Sequence, residues 1–541
     1  MPAPKDGAHF DFIVVGGGTA GNAGRGGPEN EELITTPSSA MELRGSDYDW
    51  GYKTTLVRRD DYERIEKPNT CGKVLGGSSS LNYFTWVPGC KPTFDRWAEF
   101  GGQEWTWDPL VHYLRKSATY HDDLGLYSKD LQKVGKGGPL PVSHAELLDE
   151  FADFRDRVTK AWVSRGHKIQ ENIYDGEMIG LTHCLDTIYK GQRSGSYLFV
   201  KNKPNITILA YTHAKNIILD AGLTAKGVVV IGPNGGEQSF YATREVIVSE
   251  GVFESPKLLM LSGIGPRDQL ERYGIRTLVE SNHVGQNLID HPGVPFVLQV
   301  KDGYGADDHL LRQSSKFSVA AETYKRIGPK DPLYKERKAA NGSKDPFSPE
   351  GQPHFELDFV CMFGSAFQWH FPTPKKGNHI TVVVDLVRPV SGPGEVTLQS
   401  NDPLAQPAIN LNFFADDLDI IGMREGIRFI YDVLTKGEGF KDIVVAEYPW
   451  DMPLDDDKQM ERAVLDRGQT AFHPTGTCRL SKNIGQGVVD PKLKVHGVKN
   501  LRVIDASVIP IIPDCRIQNS VSAVGEKGAD MIKEAHKDLQ A

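Results

Sequence analysis

Residues 11–21, DFIVVGGGTAG, decide how this chain is read. Asp11 to Val15 is a short apolar strand. It runs without a break into Gly16-Gly17-Gly18-Thr19-Ala20-Gly21, a G-x-G-x-x-G pattern. A strand followed by glycines is the order a dinucleotide-binding turn requires. The glycines let the backbone approach a pyrophosphate, whose charge is met by N–H groups at a helix start. Taken alone, the pattern also fits a glycine-rich loop that binds nothing, so its meaning depends on the rest of the chain.

The next segment departs from that expectation. A complete strand–helix–strand unit takes about 30 residues, with an acid about 20 positions beyond the glycines to grip the ribose. Residues 22–43 read NAGRGGPENEELITTPSSAMEL. They offer no amphipathic helix of useful length and no second apolar strand. Glu29, Glu31 and Glu32 come too early to serve as the ribose acid. The first crossover is therefore read as truncated.

Further out, glycines and small residues return in GKVLGGSSSLN (72–82), where they suit close packing on a flat or anionic ligand or, equally, a tight structural loop. Residues 91–200 show helical periodicity in FDRWAEFGG and LLDEFADFRDRVTKAW. Strand-like runs follow in NITILAY, NIILD, GVVVIG and EVIVSEG. The last turns at Gly251 into ESPKLLMLSGIG, where Ser255-Pro256 reads as a cap and a first-turn proline. Residues 302–352 read as surface helix plus loop. Strand character resumes in HITVVVDLV and GEVTLQS, and DDLDIIGMREGIRFIYDVL reads as an amphipathic helix.

Bulk properties narrow the class. A chain of 541 residues exceeds one ordinary core, so two or more domains are expected. The formal net charge of −9 argues against docking on nucleic acid or an anionic membrane. No apolar run has the length of a bilayer span. The N-terminal MPAPKDGAHFDFIVV does not read as a signal peptide, and the terminal HKDLQA is no peroxisomal tripeptide, so a cytoplasmic location is expected. Cys71, Cys90, Cys184, Cys361, Cys478 and Cys515 are scattered without a C-x-x-C, which predicts free thiols and no metal site.

The candidate catalytic pair lies near the end of the chain. His473 stands in FHPTGTCRL and Arg516 in IPDCRIQNS, with the apolar NLRVIDASVIP between them. An imidazole exchanges protons near neutral pH. A guanidinium keeps its charge and grips a carboxylate through two parallel hydrogen bonds. The pair suggests a small acid as substrate more than an alcohol. Taken singly, His473 also fits a loop histidine before a proline, and Arg516 a surface salt bridge.

Taken together, these motifs resemble the glucose–methanol–choline (GMC) oxidoreductases, which bind FAD. The resemblance runs through the turn at Gly16, Gly18 and Gly21, then GKVLGGSSSLN and GVFESPKLLMLSGIG. It continues through HVGQNLIDHP (283–292), GEVTLQSNDPLAQPAINLNFF (394–414) and NLRVIDASVIP…AVGEKGADMI, and covers nearly the whole chain. It implies an α/β fold: a Rossmann-like FAD-binding domain with a parallel central sheet, plus an α+β substrate domain on an antiparallel sheet. The expected segments are 8–90, 200–300 and 470–541 for FAD, and 91–199 with 301–469 for substrate. It implies cofactor contacts at Gly16, Gly18, Gly21, Gly76, Gly77, Ser79, Asn82, Ala214 and Asp505, and catalytic roles for His473 and Arg516.

Arg at position 516 is unusual for this family and resembles the fungal formate oxidases. That likeness implies formate and O2 as small-molecule partners, CO2 and hydrogen peroxide as products, and FAD that is present as such or as 8-formyl-FAD. Leu81 stands where some relatives attach the flavin to a histidine, so a covalent link there is excluded. Two other readings stay open: an alcohol or sugar oxidase or dehydrogenase of the same family, and an inactive or truncated member that binds FAD weakly.

Overall fold

The computed structural model describes residues 4–19, 31–57, 59–62, 66–123, 125, 129–144, 152–307, 320–325, 332–341, 344–345, 347, 352–364 and 371–539. The strand foreseen at the N-terminus spans His9–Val15 and runs parallel to Glu237–Val248, with Val15 opposite Val248. The other edge of Glu237–Val248 is shared. Its second half pairs parallel with Leu501–Val503, and its first half antiparallel with Ala225–Ile231, which in turn pairs with His213–Leu219. The sheet is therefore mixed: three strands are parallel and two are antiparallel.

The three parallel strands end together, at Gly16, Ser249 and Ile504. In open α/β sheets the ligand crevice lies outside such carboxyl ends. This places the glycine turn, the start of the helix Gly251–Leu261 and the turn at Asp505 around one point. His9–Val15 has no partner along its outer edge among the described residues, and Val14 is 48% exposed although it belongs to an apolar run.

The helix Gly251–Leu261 begins five residues earlier than the Ser-Pro pair implied. Ser255 is not its cap; its hydroxyl donates to Asp505 (2.6 Å) and accepts from the Glu250 N–H (3.0 Å). Pro256 lies inside the helix, where it cannot donate to the Val252 carbonyl. Thr477 supplies the missing bond, its hydroxyl donating to that carbonyl at 2.6 Å. The helix thus keeps its proline by docking against the segment that carries His473.

A second, seven-stranded sheet is wholly antiparallel. Its order is Val444–Tyr448, Pro292–Val300, Asn378–Leu386, Phe355–Val360, Ala320–Lys325 and Gly180–Thr182, with Gln469–Thr470 also on Pro292–Val300. Asn378–Leu386 is buried at all nine positions, because both of its faces are covered. One cover is the helix Asp417–Lys436, whose Gly426 lies against Phe355 and Val384. Asp416 caps this helix, accepting from the Leu418 N–H at 3.0 Å. A five-stranded sheet joins distant segments: Gln286–Leu288, Gly394–Thr397, Ala408–Phe413, Tyr52–Val57 and Glu66–Asn69.

Two local expectations fail. NITILAY (205–211) forms no strand, and Ile206 and Ile208 are more than a third exposed, so its apolar residues have no sheet to join. Within 302–352, the described residues include a strand, Ala320–Lys325, that the polar composition concealed. All six cysteines are free thiols, and no helix among the described residues is long and apolar enough to cross a membrane.

Candidate active site

The two glycine segments foreseen as cofactor contacts form one unit. Gly16 has φ +120°, and a Cβ there would lie 2.1 Å from the Ser249 carbonyl, so only glycine lets the turn sit against the neighbouring strand end. The Gly76 N–H donates to the Gly17 carbonyl at 2.8 Å. A Cβ on Gly77 would meet Gly18 Cα at 2.4 Å. Ser79 donates to the Gly76 carbonyl (2.7 Å) and accepts from the Ser196 N–H (2.9 Å), while the Ser196 hydroxyl lies 3.2 Å from the Gly18 carbonyl. Among the described residues, a Cβ on Gly18 would meet nothing within 4 Å, so they leave the turn open on that face. Gly21 lies outside the described residues.

Asn82 is tied on both sides. Its amide donates to Gln518 (2.7 Å), at the start of the last helix, and its carbonyl oxygen accepts from Arg193 (2.9 Å). Burial pulls the Arg193 guanidinium down to about 9, and the group stacks on Phe84 at 4.2 Å. Neither Ser196 nor Arg193 was found by sequence reasoning; both are ordinary polar residues in a segment without a motif. Ala214 is buried in the strand His213–Leu219 of the first sheet. Asp505 is buried, and its carboxylate accepts from the Gly251 N–H (2.9 Å), Ser255 (2.6 Å) and the Ser507 N–H (2.8 Å). Burial pushes its pKa up, opposed by these bonds. The carboxylate is thus committed to fastening the helix start to the strand end.

The segments carrying His291 and His473 are laced together. Ile289 and Thr475 exchange backbone hydrogen bonds (3.1 and 2.8 Å), and the Ala471 N–H donates to the His291 carbonyl (2.9 Å). One carboxylate oxygen of Asp290 accepts from the backbone N–H of both His291 (2.7 Å) and His473 (2.8 Å); the other accepts from Thr470. Asp290 is fully buried and rises to about 6, with burial the main cause. His473 is 6% exposed, and burial lowers it to about 3, so its ring is neutral at ordinary pH.

Arg516 enters from the loop before the last helix. Its side chain is 13% exposed, with Nε 3.4 Å from Glu356 Oε1 and Nη2 against Asp358 Oδ2. Both carboxylates come from the strand Phe355–Val360 of the seven-stranded sheet. Ligand atoms of His291, Glu356 and His473 all lie within 4.8 Å of one another, so Glu356 links the two candidate catalytic residues. By distance these three groups could hold a cation, but the guanidinium on Glu356 already supplies the positive charge. The sequence missed Glu356, Asp358 and Asp290, because no spacing rule joins them to residues more than a hundred positions away.

The chain also matches known proteins over most of its length. Models of the GMC oxidoreductase family match residues 10–293 and 389–525. A GMC oxidoreductase family protein of Malassezia sympodialis is 28% identical, with 97% of this chain and 93% of that protein covered. Pyranose dehydrogenase 3 of Leucoagaricus meleagris is 29% identical, covering 99% and 94%. Among solved structures, a formate oxidase superposes with TM-score 0.97 at 68% identity, covering 99% of this chain and 100% of the other. A pyridoxine 4-oxidase gives 0.81 at 25% identity, covering 97% and 99%. Its motifs, its two-sheet architecture and these matches together make the chain a member of the GMC oxidoreductase family, an FAD-dependent oxidoreductase.

Proposed function

We propose that this protein oxidises formate to CO2, with O2 reduced to hydrogen peroxide. The observation that carries the reading is a guanidinium, Arg516, held in a nearly closed site beside a neutral imidazole, His473. The likeness to a formate oxidase at 68% identity supports it. The balance is HCOO⁻ + H⁺ + O2 → CO2 + H2O2. Bound FAD would supply the hydride acceptor and the route for electrons to O2.

The residues present fit that cofactor. The open face of Gly18 and the tight approach of Gly16, Gly76 and Gly77 leave backbone at a surface where a pyrophosphate would sit. Ser79 braces that turn, Asn82 and the Asp505 turn would meet the flavin end, and Ala214 the adenosine end. The 8-formyl form of the flavin is an expectation of the same resemblance.

Arg516 would bind both formate oxygens and so direct the single C–H bond. His473 would hydrogen-bond one oxygen and fix the rotation of the anion. No hydroxyl proton has to be removed, so His473 need not act as a base, unlike the histidine of alcohol-oxidising relatives. Glu356 and Asp358 hold the guanidinium in a defined place, and pre-organisation of that kind carries much of the effect of an electrostatic contact.

The test is turnover of the purified flavoprotein with formate against primary alcohols and sugars, following O2, H2O2 and CO2. Formate as best substrate, with the three in equal amounts, is the expected result. Faster turnover of an alcohol would remove the reading. That the edge of His9–Val15 has no partner among the described residues favours a second reading, in which the chain binds FAD weakly.

A further inference from the structure

Arg516 lies in residues 511–517, which belong to neither helix nor strand. Its position therefore depends on side-chain anchors instead of a backbone ladder. Trp97 supplies one, its Nε1–H donating to the Ile511 carbonyl at 3.0 Å. Asp514 supplies another. It is 0% exposed and stands two residues before the guanidinium. One carboxylate oxygen accepts from the Thr93 hydroxyl; the other lies 3.5 Å from Gln352 Nε2 and 3.9 Å from Arg388 Nη1. Gln352 Nε2 also donates to the Thr93 hydroxyl, so amide, hydroxyl and carboxylate form one buried chain. Burial pushes the Asp514 pKa up, opposed first by the charge of Arg388 and then by the Thr93 hydroxyl.

Thr93 sits in the helix Lys91–Arg96. Gln352 precedes the strand Phe355–Val360, which carries Glu356 and Asp358. Arg388 follows Asn378–Leu386, the strand paired to it. The same sheet therefore grips the Arg516 segment twice: at the guanidinium, through Glu356 and Asp358, and at the backbone, through Asp514. A grip on the guanidinium alone lets the long side chain reach its carboxylates by other torsions, from a backbone that has moved. The grip at Asp514 removes that freedom, and with it the choice of which guanidinium edge is left for an anion.

We propose that Asp514 is a positioning residue: held by Thr93, Gln352 and Arg388, it fixes the backbone from which Arg516 presents its guanidinium to an anionic substrate. The role rests on the reading of Arg516 as the anion-gripping group.

A double-mutant cycle on the protein saturated with FAD tests it. Azide serves as the probe anion, its binding followed in the flavin spectrum, with formate kcat/KM measured alongside. Thr93→Val keeps the size and removes the hydroxyl. It should weaken azide binding and lower formate kcat/KM by about tenfold to a hundredfold, the loss that a misplacement of about 1 Å brings. Thr93→Ser should restore most of both, with flavin content equal in all three proteins. In an Arg516→Lys background Thr93→Val should cost less than about threefold, because the group it positions is gone. Asp514→Asn, which loses the charge facing Arg388, should behave as Thr93→Val does in both backgrounds, and it carries the test where the valine variant does not fold. Equal losses in the two backgrounds would make the buried chain a matter of general stability and overturn the proposal, as would unchanged azide affinity in Thr93→Val. Azide bound no more tightly by the unsubstituted chain than by Arg516→Lys would overturn the reading of Arg516 along with it. If formate is not oxidised while the azide cycle holds, the positioning role stands and only the substrate assignment falls.

Discussion

Asp358 and Arg516 form a buried ion pair, with side chains 5% and 13% exposed, joining the antiparallel sheet to the loop before the last helix. The arginine is thus fixed by a strand of the seven-stranded sheet, more than a hundred and fifty positions away in the sequence. Breaking a buried pair leaves an uncompensated charge, which costs far more than a surface bridge is worth.

Arg516→Lys should therefore fold but lose most activity on formate, chiefly through KM. Lysine keeps the charge and loses the two-pronged grip. Losing a charge-assisted bidentate contact should cost about 2–4 kcal/mol in kcat/KM. Steady-state kinetics check this, and near-native constants would remove Arg516 from the site.

His473→Ala should keep its flavin and turn over slowly, because in the proposed site the imidazole would face substrate, and its loop is held independently by Asp290 through the backbone. Absorbance of the purified variant near 450 nm, together with its melting temperature, checks the assignment. A folded variant that binds less flavin than the unsubstituted chain would make His473 a cofactor residue.

Much of this was legible in the sequence. The glycine turn, the strands that end at it and the amphipathic helix at 417–436 follow from local periodicity and composition, and the parallel pairing of those strands from the family resemblance. His473 and Arg516 were found by motif. Their supports were not, since Asp290, Glu356 and Asp358 reach them only through sheet pairing across long sequence separations. The Ser255-Pro256 pair misled for a related reason. A proline inside a helix is tolerated only because Thr477, over two hundred residues later, supplies the lost donor. NITILAY misled by composition alone, because it has no sheet edge to join.

The pH response of Asp290 can be worked out in sign. Its pKa is near 6 in the folded protein and near the ordinary 3.8 when unfolded. A raised carboxyl pKa adds stability that is complete below 3.8 and lost as pH rises through 6. Asp290→Asn cannot titrate. The stability advantage of the native protein over this variant should therefore shrink between pH 4.5 and 7, by about 2 kcal/mol if the two pKa values hold. Paired thermal denaturation at the two pH values measures it; an advantage that grows with pH would reverse the assignment.

The last prediction concerns the segment after Gly18. In a complete unit a helix would offer its N-terminus to the pyrophosphate, and a second strand would carry the ribose acid and pair with the outer edge of the first strand. Here that edge has no partner among the described residues, and Val14 is 48% exposed upon it. The flavin-end contacts expected from Asn82 and the Asp505 turn would survive, but the adenosine-end hydrogen bonds of a ribose acid would be missing. Charge-assisted bonds contribute about 1.5–3 kcal/mol each, so losing even one weakens FAD by about one to two orders of magnitude. An open apolar edge also templates pairing with a second chain. Expressed as written, the protein should be mostly apo or poorly soluble. Inserting a helix and a strand ending in Glu between Gly21 and Glu31 should restore yellow, active, monodisperse protein. Flavin content after gel filtration, with an FAD titration of the apo form, decides the matter. Stoichiometric, tightly held FAD in the unmodified chain would show the short crossover to be a working variant, in which other groups take over the adenosine.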